Sequence, residues 1–396
     1  MAAYRLYGSA LSPFSLKTRM LCSLAGLPVE WLPEEGGAAA NLEVQARRWA
    51  TVRGLRPVTD PPLSELDELP LVPFLFGRDG TTRWDSSAIG GWLQAVRAPG
   101  LLPRDPARRW LCRWLDEYVD EFGLYLLHHH RWVTCAATTG APGQLRREFV
   151  SLLPGPLGEL VVERFVARQV ARLPYLFSVA PSGFRVEGLD ETRQPPARDG
   201  FPPTHALLDD ALSRLLLTLE EALSRRGFLF GDAPTLADAS FYGMLASQVL
   251  LEPEIGARIA ALSPSVGPWL SRMEGARLPE EPVPADRGRL RDDEPLFALF
   301  DESCRTFLPL MLQNAEAHRA FAPTGAGLRN ERAFDRSRSL YRGEIDGHAF
   351  RSVAKTFQVK VWRTLMGDWA RLPAAARGLL GARSPELAAA GERASR

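Results

Sequence analysis

The chain has 396 residues and a formal net charge of +1, with 45% hydrophobic and 24% charged residues. That length exceeds one compact core and implies two or three domains. The near-neutral balance excludes a global field directed at nucleic acid or an anionic membrane. All but three of the 48 basic residues are Arg, the exceptions being Lys17, Lys355 and Lys360, which reads as base-composition bias. The opening residues lack the basic-then-apolar pattern of a secretory signal. No run reaches the ~18 apolar residues of a membrane span. Cys22, Cys112, Cys135 and Cys304 lie far apart without paired metal spacing. They read as reduced thiols, so the expectation is a cytoplasmic protein with no metal.

Residues 3–7, AYRLY, read as a short strand ended by Gly8. Ser12 is a favourable N-cap and Pro13 fits the first helical position of a helix whose Leu16, Met20 and Leu24 share a face. Gly26 and Pro28 stop it, and VEWL (29–32) reads as a second strand. A helix from about 41 to 52 is expected to bury Leu42, Ala46 and Trp49. PFLF and TTRW flank an Asp79-Gly80 turn and predict a hairpin. Asp85 or Ser86 caps a last helix with Ala88, Ile89, Trp92, Leu93 and Val96 along one stripe. The order β-α-β-α-β-β-α over 1–97 predicts one sheet covered by helices.

This layout resembles the thioredoxin-like domain of the glutathione S-transferase superfamily. Val72-Pro73 resembles its cis-proline, DSSAI (85–89) its E/Q-S-x-A-I signature, and SPF (12–14) the Ser-Pro-Phe of the plant tau class. The resemblance implies glutathione as co-substrate, paired lengthwise with the backbone of Val72 beside Pro73. Asp85 and Ser86 would hold its γ-glutamyl end, and Ser12 would stabilise its thiolate, with Tyr7, Ser9 and Ser15 as alternative donors. Read without the resemblance, Ser12-Pro13 and DSS are ordinary helix caps, and Val72-Pro73 suits an edge strand.

Residues 104–275 read as an all-helical region. A long amphipathic helix over 107–132 carries Trp110, Trp114, Tyr118 and Phe122 on a four-residue ladder. The first three are the expected wall past which a small electrophile enters. His128, His129 and His130 point about 100° apart on a helix, too divergent for metal ligation. They are expected at the surface or partly buried. The span 145–177 reads as helical, 181–203 as a loop and 205–225 as a leucine-rich helix. In GFLFGDAPTLADAS, Thr235 caps a helix and Asp238 returns a bond to the cap. The stretch resembles the capping box of transferase C-terminal domains, and SPSVGPWLSRMEG (263–275) resembles their closing helix.

Residues 276–396 are an unexpected, mostly helical extension. Leu296, Leu299, Phe300, Phe307 and Leu310 mark one helix, and a hairpin at Asp346-Gly347 precedes another with Phe357, Val361 and Leu365 on its apolar side. Arg351, Lys355, Lys360 and Arg363 are expected to form a solvated face, since no aromatic residues interleave with them as in single-strand binders. The chain after Pro373 is expected to be disordered. The stretch 59–76 holds no Lys or Arg, a departure from the family at glutathione's glycine end, where Arg53 or Arg56 are the candidate substitutes.

The fold class is therefore α+β: a thioredoxin-like domain, an all-α domain and an extension. The function implied is transfer of the glutathione thiolate to a small electrophile. The alternative is a non-catalytic transferase-fold scaffold acting through protein partners. A two-fold homodimer is the arrangement the resemblance implies, with neither nucleic acid nor membrane as partner.

Overall fold

β1 (Tyr4–Tyr7) runs parallel to β2 (Val29–Leu32), the two joined by α1 (Pro13–Leu24). After α2 (Ala38–Val52), β3 (Phe74–Gly77) lies antiparallel to β1 and to β4 (Thr82–Trp84), and α3 (Ser86–Val96) follows. The sheet order is β2-β1-β3-β4. Alternation along the strands sends Leu6, Trp31 and Leu75 toward α1 and α3, and Tyr7, Leu32, Phe74 and Phe76 toward α2. The computed structural model describes residues 4–59, 62–68, 72–149, 155–278, 290–321 and 329–394. Parts of the acidic connection (60–61, 69–71) and of the helix expected over 145–177 (150–154) lie outside them.

The face expected to be buried on α2 points outward. Leu42 and Trp49 are 69% and 52% exposed, while Ala40, Asn41, Val44 and Thr51 face the sheet. Arg47 sets that rotation by donating to the carbonyls of Gly77 (3.0 Å) and Thr81 (2.9 Å) at the sheet edge.

The helical domain begins with α4 (Pro106–Tyr118), which runs through a π turn at 119–123 into α5 (Leu124–His129) and a second π turn at 130–134. α6 (Ala141–Phe149), α7 (Pro156–Ala171) and α8 (His205–Leu223) follow, then α9 (Leu236–Leu251), α10 (Pro253–Leu262) and α11 (Val266–Gly275). α9 is apolar on every side and is the central helix, as such a pattern requires. Its capping box is formed: Asp238 accepts from the Thr235 amide (2.9 Å) and hydroxyl (2.8 Å). The same carboxylate accepts from Leu229 N (2.9 Å) and Trp269 Nε1 (3.3 Å), so it ties the preceding loop and α11 to α9.

The histidine run lies deeper than expected, with His128 partly buried. His129 and His130 are buried, and burial holds His128 down to about 3 and His130 down to about 4. The His130 Nδ1 pairs with Thr134 Oγ1 at 3.0 Å. In the unfolded chain a histidine takes up its proton near ~6.5. Between pH 6.5 and 4 the unfolded state therefore binds the extra proton, and stability falls as pH falls. His130→Gln is expected to flatten that fall by about 2 kcal/mol between pH 7 and 5, read as urea midpoints at each pH.

The extension is built of α12 (Glu294–Phe321), α13 (Asn330–Asp335), the hairpin β5 (Leu340–Ile345) and β6 (His348–Val353), and α14 (Thr356–Arg371). The hairpin turns at Asp346-Gly347, both with positive φ (51° and 76°), the two-residue geometry that glycine favours. The chain beyond Pro373 is not disordered: it forms α15 (Ala374–Arg383) and α16 (Pro385–Ala394). Leu380 and Leu387 are fully buried, and Arg383 pairs with Glu294 and Asp301 of α12, each at 2.9 Å. Trp110, Trp114 and Tyr118 form no entry wall, because α12 and α14 cover them. Trp110 donates to Leu365 O (3.2 Å), Trp114 donates to Ser303 Oγ (2.7 Å), and the ring of Phe307 packs edge-on against Trp114.

Candidate functional site

The loop before α1 is clamped from the helical domain. Ala10 N donates to Glu148 Oε1 (2.8 Å), and the buried Arg131 donates to Leu11 O (2.7 Å). Glu252 (2.7 Å) and Ser247 (2.5 Å) accept the rest of that guanidinium. The clamp fixes Ser12, which is extended (φ −94°, ψ 116°) and caps α1 by accepting from Ser15 N at 3.3 Å. A capping hydroxyl accepts through a lone pair and keeps its proton to donate elsewhere.

Facing it, the Val72–Pro73 bond is cis. Asp85 has φ 74°, an uncommon conformation for a residue with a Cβ. Its Oδ1 accepts from Ser87 N (3.0 Å) and Ala88 N (3.3 Å), capping α3, and Ser86 is the first residue of that helix.

Behind α3 stands an acidic wall from α4 and its π turn: Asp116, Glu117, Asp120 and Glu121. The three lysines of the chain all converge on this neighbourhood. Lys17 of α1, wholly buried, pairs with Asp116 (2.5 Å) and Asp120 (2.6 Å) and donates to Ser87 Oγ (3.0 Å). Burial opposes its charge, but the two carboxylates hold its pKa above the ordinary lysine value. One ammonium between two acids leaves the second poorly compensated, and burial pushes Asp120 up to about 7. Burial likewise pushes Glu121 up to about 8 and Glu117 well above the carboxylate range.

Lys355 donates to Tyr125 Oη (2.5 Å) and Tyr175 O (2.9 Å), and burial brings it down to about 8 despite Glu68 and Glu121. Lys360 of α14 pairs with Asp67 (2.7 Å) and Asp85 Oδ2 (3.5 Å). Burial would lower its pKa, and these two carboxylates raise it instead. Of the basic face expected to be solvated, Lys355 and Lys360 are therefore turned inward toward the acidic connection, while Arg363 is exposed and Arg351 half-exposed.

These walls enclose one cavity of about 1560 Å³, lined by Tyr7, Ser9, Ser12, Val72, Pro73, Asp85 and Ser86 among others. Small-molecule sites commonly occupy about 300–1,000 Å³, so this one has room for a tripeptide and a second molecule. The glutathione S-transferase N-terminal domain family matches residues 11–96, and the glutathione S-transferase C-terminal domain family matches residues 202–292.

Residues 11–96 and 202–292 thus carry the two domains of the glutathione S-transferase superfamily.

Solved structures similar to it include a tau class glutathione S-transferase from mango, Mangifera indica, at 15% identity. That match covers 68% of this chain and 88% of that one, with a TM-score of 0.35. A second is the beta-etherase LigF from Sphingobium sp. strain SYK-6, at 17% identity, 69% and 95% coverage and a TM-score of 0.40. A third is the glutathione-bound theta class enzyme of Xanthomonas axonopodis pv. citri, at 18% identity, 69% and 92% coverage and a TM-score of 0.35. No curated protein matches the chain. Among the described residues, no helix is long and apolar enough to cross a membrane.

The superfamily's expected positions Ser12, Val72, Pro73, Asp85 and Ser86 come together on the one cavity, as do Tyr7 and Ser9. Ser15 is buried beneath Gly8 and does not line it. Arg53 and Arg56 are exposed and away from it; the α2 cation that lines it is Arg48, accompanied by Gln45, which donates to Tyr7 Oη at 2.9 Å. Arg131, Lys355 and Lys360 are the site residues that motif reading missed. For the two lysines the signal was compositional: a lysine-poor chain places its few lysines here.

Proposed function

We propose that this protein is a glutathione-dependent transferase in which Ser12 stabilises the thiolate that attacks a small electrophile. One observation carries the reading: Ser12, Val72-Pro73, Asp85 and Ser86, spread over three loops, wall a single cavity. Glutathione would lie along Val72 with its γ-glutamyl carboxylate toward the hydroxyl and amide of Ser86 at the start of α3. Its sulfur would reach the start of α1, where the Ser12 hydroxyl donates and the helix dipole favours negative charge. A thiol near ~8.5 is mostly protonated at neutral pH, so such donors multiply the thiolate. The thiolate then forms a carbon–sulfur bond as the leaving group departs with its electron pair.

Retention on a glutathione matrix, followed by conjugation of an aryl halide, tests this. Ser12→Ala is expected to lower kcat/KM by about 10²-fold, as loss of one preorganised donor does. It should also raise the apparent thiol pKa toward ~8.5. The lost cap costs only about 1 kcal/mol of stability, so an unchanged rate in a folded variant removes Ser12 from the chemistry.

The scaffold reading is favoured by a different observation: Phe357 packs against the cluster of Tyr7, Phe74 and Trp84 beside Val72, and Lys360 already pairs with Asp85. Absence of any thermal stabilisation by millimolar glutathione would select it.

A further inference from the structure

Both oxygens of Asp85 are engaged within the chain. Oδ1 caps α3 through Ser87 N and Ala88 N, and Oδ2 faces the Lys360 ammonium at 3.5 Å. Lys360 is anchored a second time on Asp67 at 2.7 Å, and its side chain keeps 29% of its surface open. Both Asp85 and Lys360 line the cavity. The helix that delivers Lys360 is firmly seated: Val361 and Leu365 are buried, Arg113 pairs with Asp368 (3.1 Å), and Phe357 lies edge-on to Trp84. The extension therefore places a fixed positive charge where a γ-glutamyl ammonium would meet Asp85.

We infer that Lys360 is a specificity-determining residue that makes this site select a thiol whose α3 end carries a carboxylate and no ammonium. The inference rests on the reading of the cavity as a thiol site. An incoming ammonium at Asp85 becomes the close neighbour of a like charge and competes for carboxylates already paired. A carboxylate at the same place meets the Lys360 ammonium, the Ser86 hydroxyl and the Ser86 amide, the one at the start of α3 that Asp85 does not take, and these favour it. Asp67, with no Lys or Arg within the acidic stretch around it, matches Lys360 and not an external ligand. That accounts for the departure of this stretch from the family pattern.

The test is calorimetric titration of the full-length protein at pH 7 with glutathione and with its des-amino analogue, glutaryl-cysteinylglycine. The wild type is expected to bind the analogue at least about tenfold more tightly, one like-charge contact being worth that much or more. In Lys360→Met the preference is expected to reverse, glutathione gaining while the analogue loses. A wild type that binds glutathione more tightly than the analogue overturns the inference and leaves the thiol-site reading standing. A preference unchanged in Lys360→Met does the same. If neither thiol binds either protein at millimolar concentration, both the inference and the transferase reading fall. The wild-type comparison needs no substitution, so a poorly folded variant does not blunt it.

Discussion

A chain ending at residue 278 is expected not to fold cooperatively, although it keeps the four-stranded sheet and every helix from α1 to α11. The reason lies on the outer face of α4. Trp110 and Trp114 are 2% and 0% exposed and Tyr118 is 0% exposed, with α12 and α14 supplying the rings of Phe300, Phe307 and Trp369 against them. A buried aromatic removes about 150–250 Å² from water, roughly 4–6 kcal/mol each at ~25 cal/mol per Å². Three of them together rival the whole stability of a domain, about 5–15 kcal/mol. Scanning calorimetry and near-ultraviolet circular dichroism of residues 1–278 read the outcome. A single sharp transition with native-like tryptophan signals would make the extension an appendage and not part of the core.

Replacing Lys17 by Met should cost the full-length protein about 3–5 kcal/mol, the usual penalty for removing one partner from a buried ionic cluster. The methylene stem is retained, so the loss is one of charge: Asp116 and Asp120, 2% and 8% exposed, are left facing each other. Part of Asp116 stays satisfied by the hydroxyls of Ser87 (3.2 Å) and Ser240. Asp120 keeps a weaker reserve, the Ser87 hydroxyl it shares with Asp116 (3.2 Å) and the Ser86 hydroxyl at 3.5 Å. Already at about 7 beside the lysine, it rises further without it. In the variant the folded state then holds a proton to higher pH than the wild type does. The gap between the two proteins should accordingly widen as pH rises from 6 to 8 and narrow as it falls. Urea denaturation across that range checks the sign; a gap independent of pH would mean that packing and not charge is at stake. Lys17→Met with Asp120→Asn should recover part of the loss.

How much of this could be read beforehand divides along sequence distance. The cap at Ser12, the turn at Asp79-Gly80, the cap at Asp85 and the Thr235–Asp238 box are each set by residues within a few positions of one another, and each is formed. The face of α2 was misjudged because Arg47 reaches the β3–β4 edge, 30 and 34 residues away, and overrides the apolar stripe. The Lys360–Asp85 contact spans 275 residues, and Trp110–Leu365 spans 255. No local pattern encodes either. Lys17 left a clue: it sits with Met20, Leu21 and Leu24 at core spacing in α1, where a charge needs a partner, and Asp116 and Asp120 offer a matched pair one helical turn apart. The tail after Pro373 has a composition that suits fraying, yet α15 packs on α4 and α16 on α14 and α12, and Leu380 and Leu387 are buried there.

Gly243 on α9 lies against the backbone of α1: a methyl group there would overlap the Pro13 carbonyl and crowd the Lys17 amide. Two helices in main-chain contact have no layer of side chains through which to shear, and close-packed interiors transmit displacement instead of absorbing it. The sheet-bearing and helical halves are thus welded at the very turn that begins with Pro13, and they do not work as jaws. A guest must therefore fit between walls that do not part, one of them α14, which lies outside both family matches.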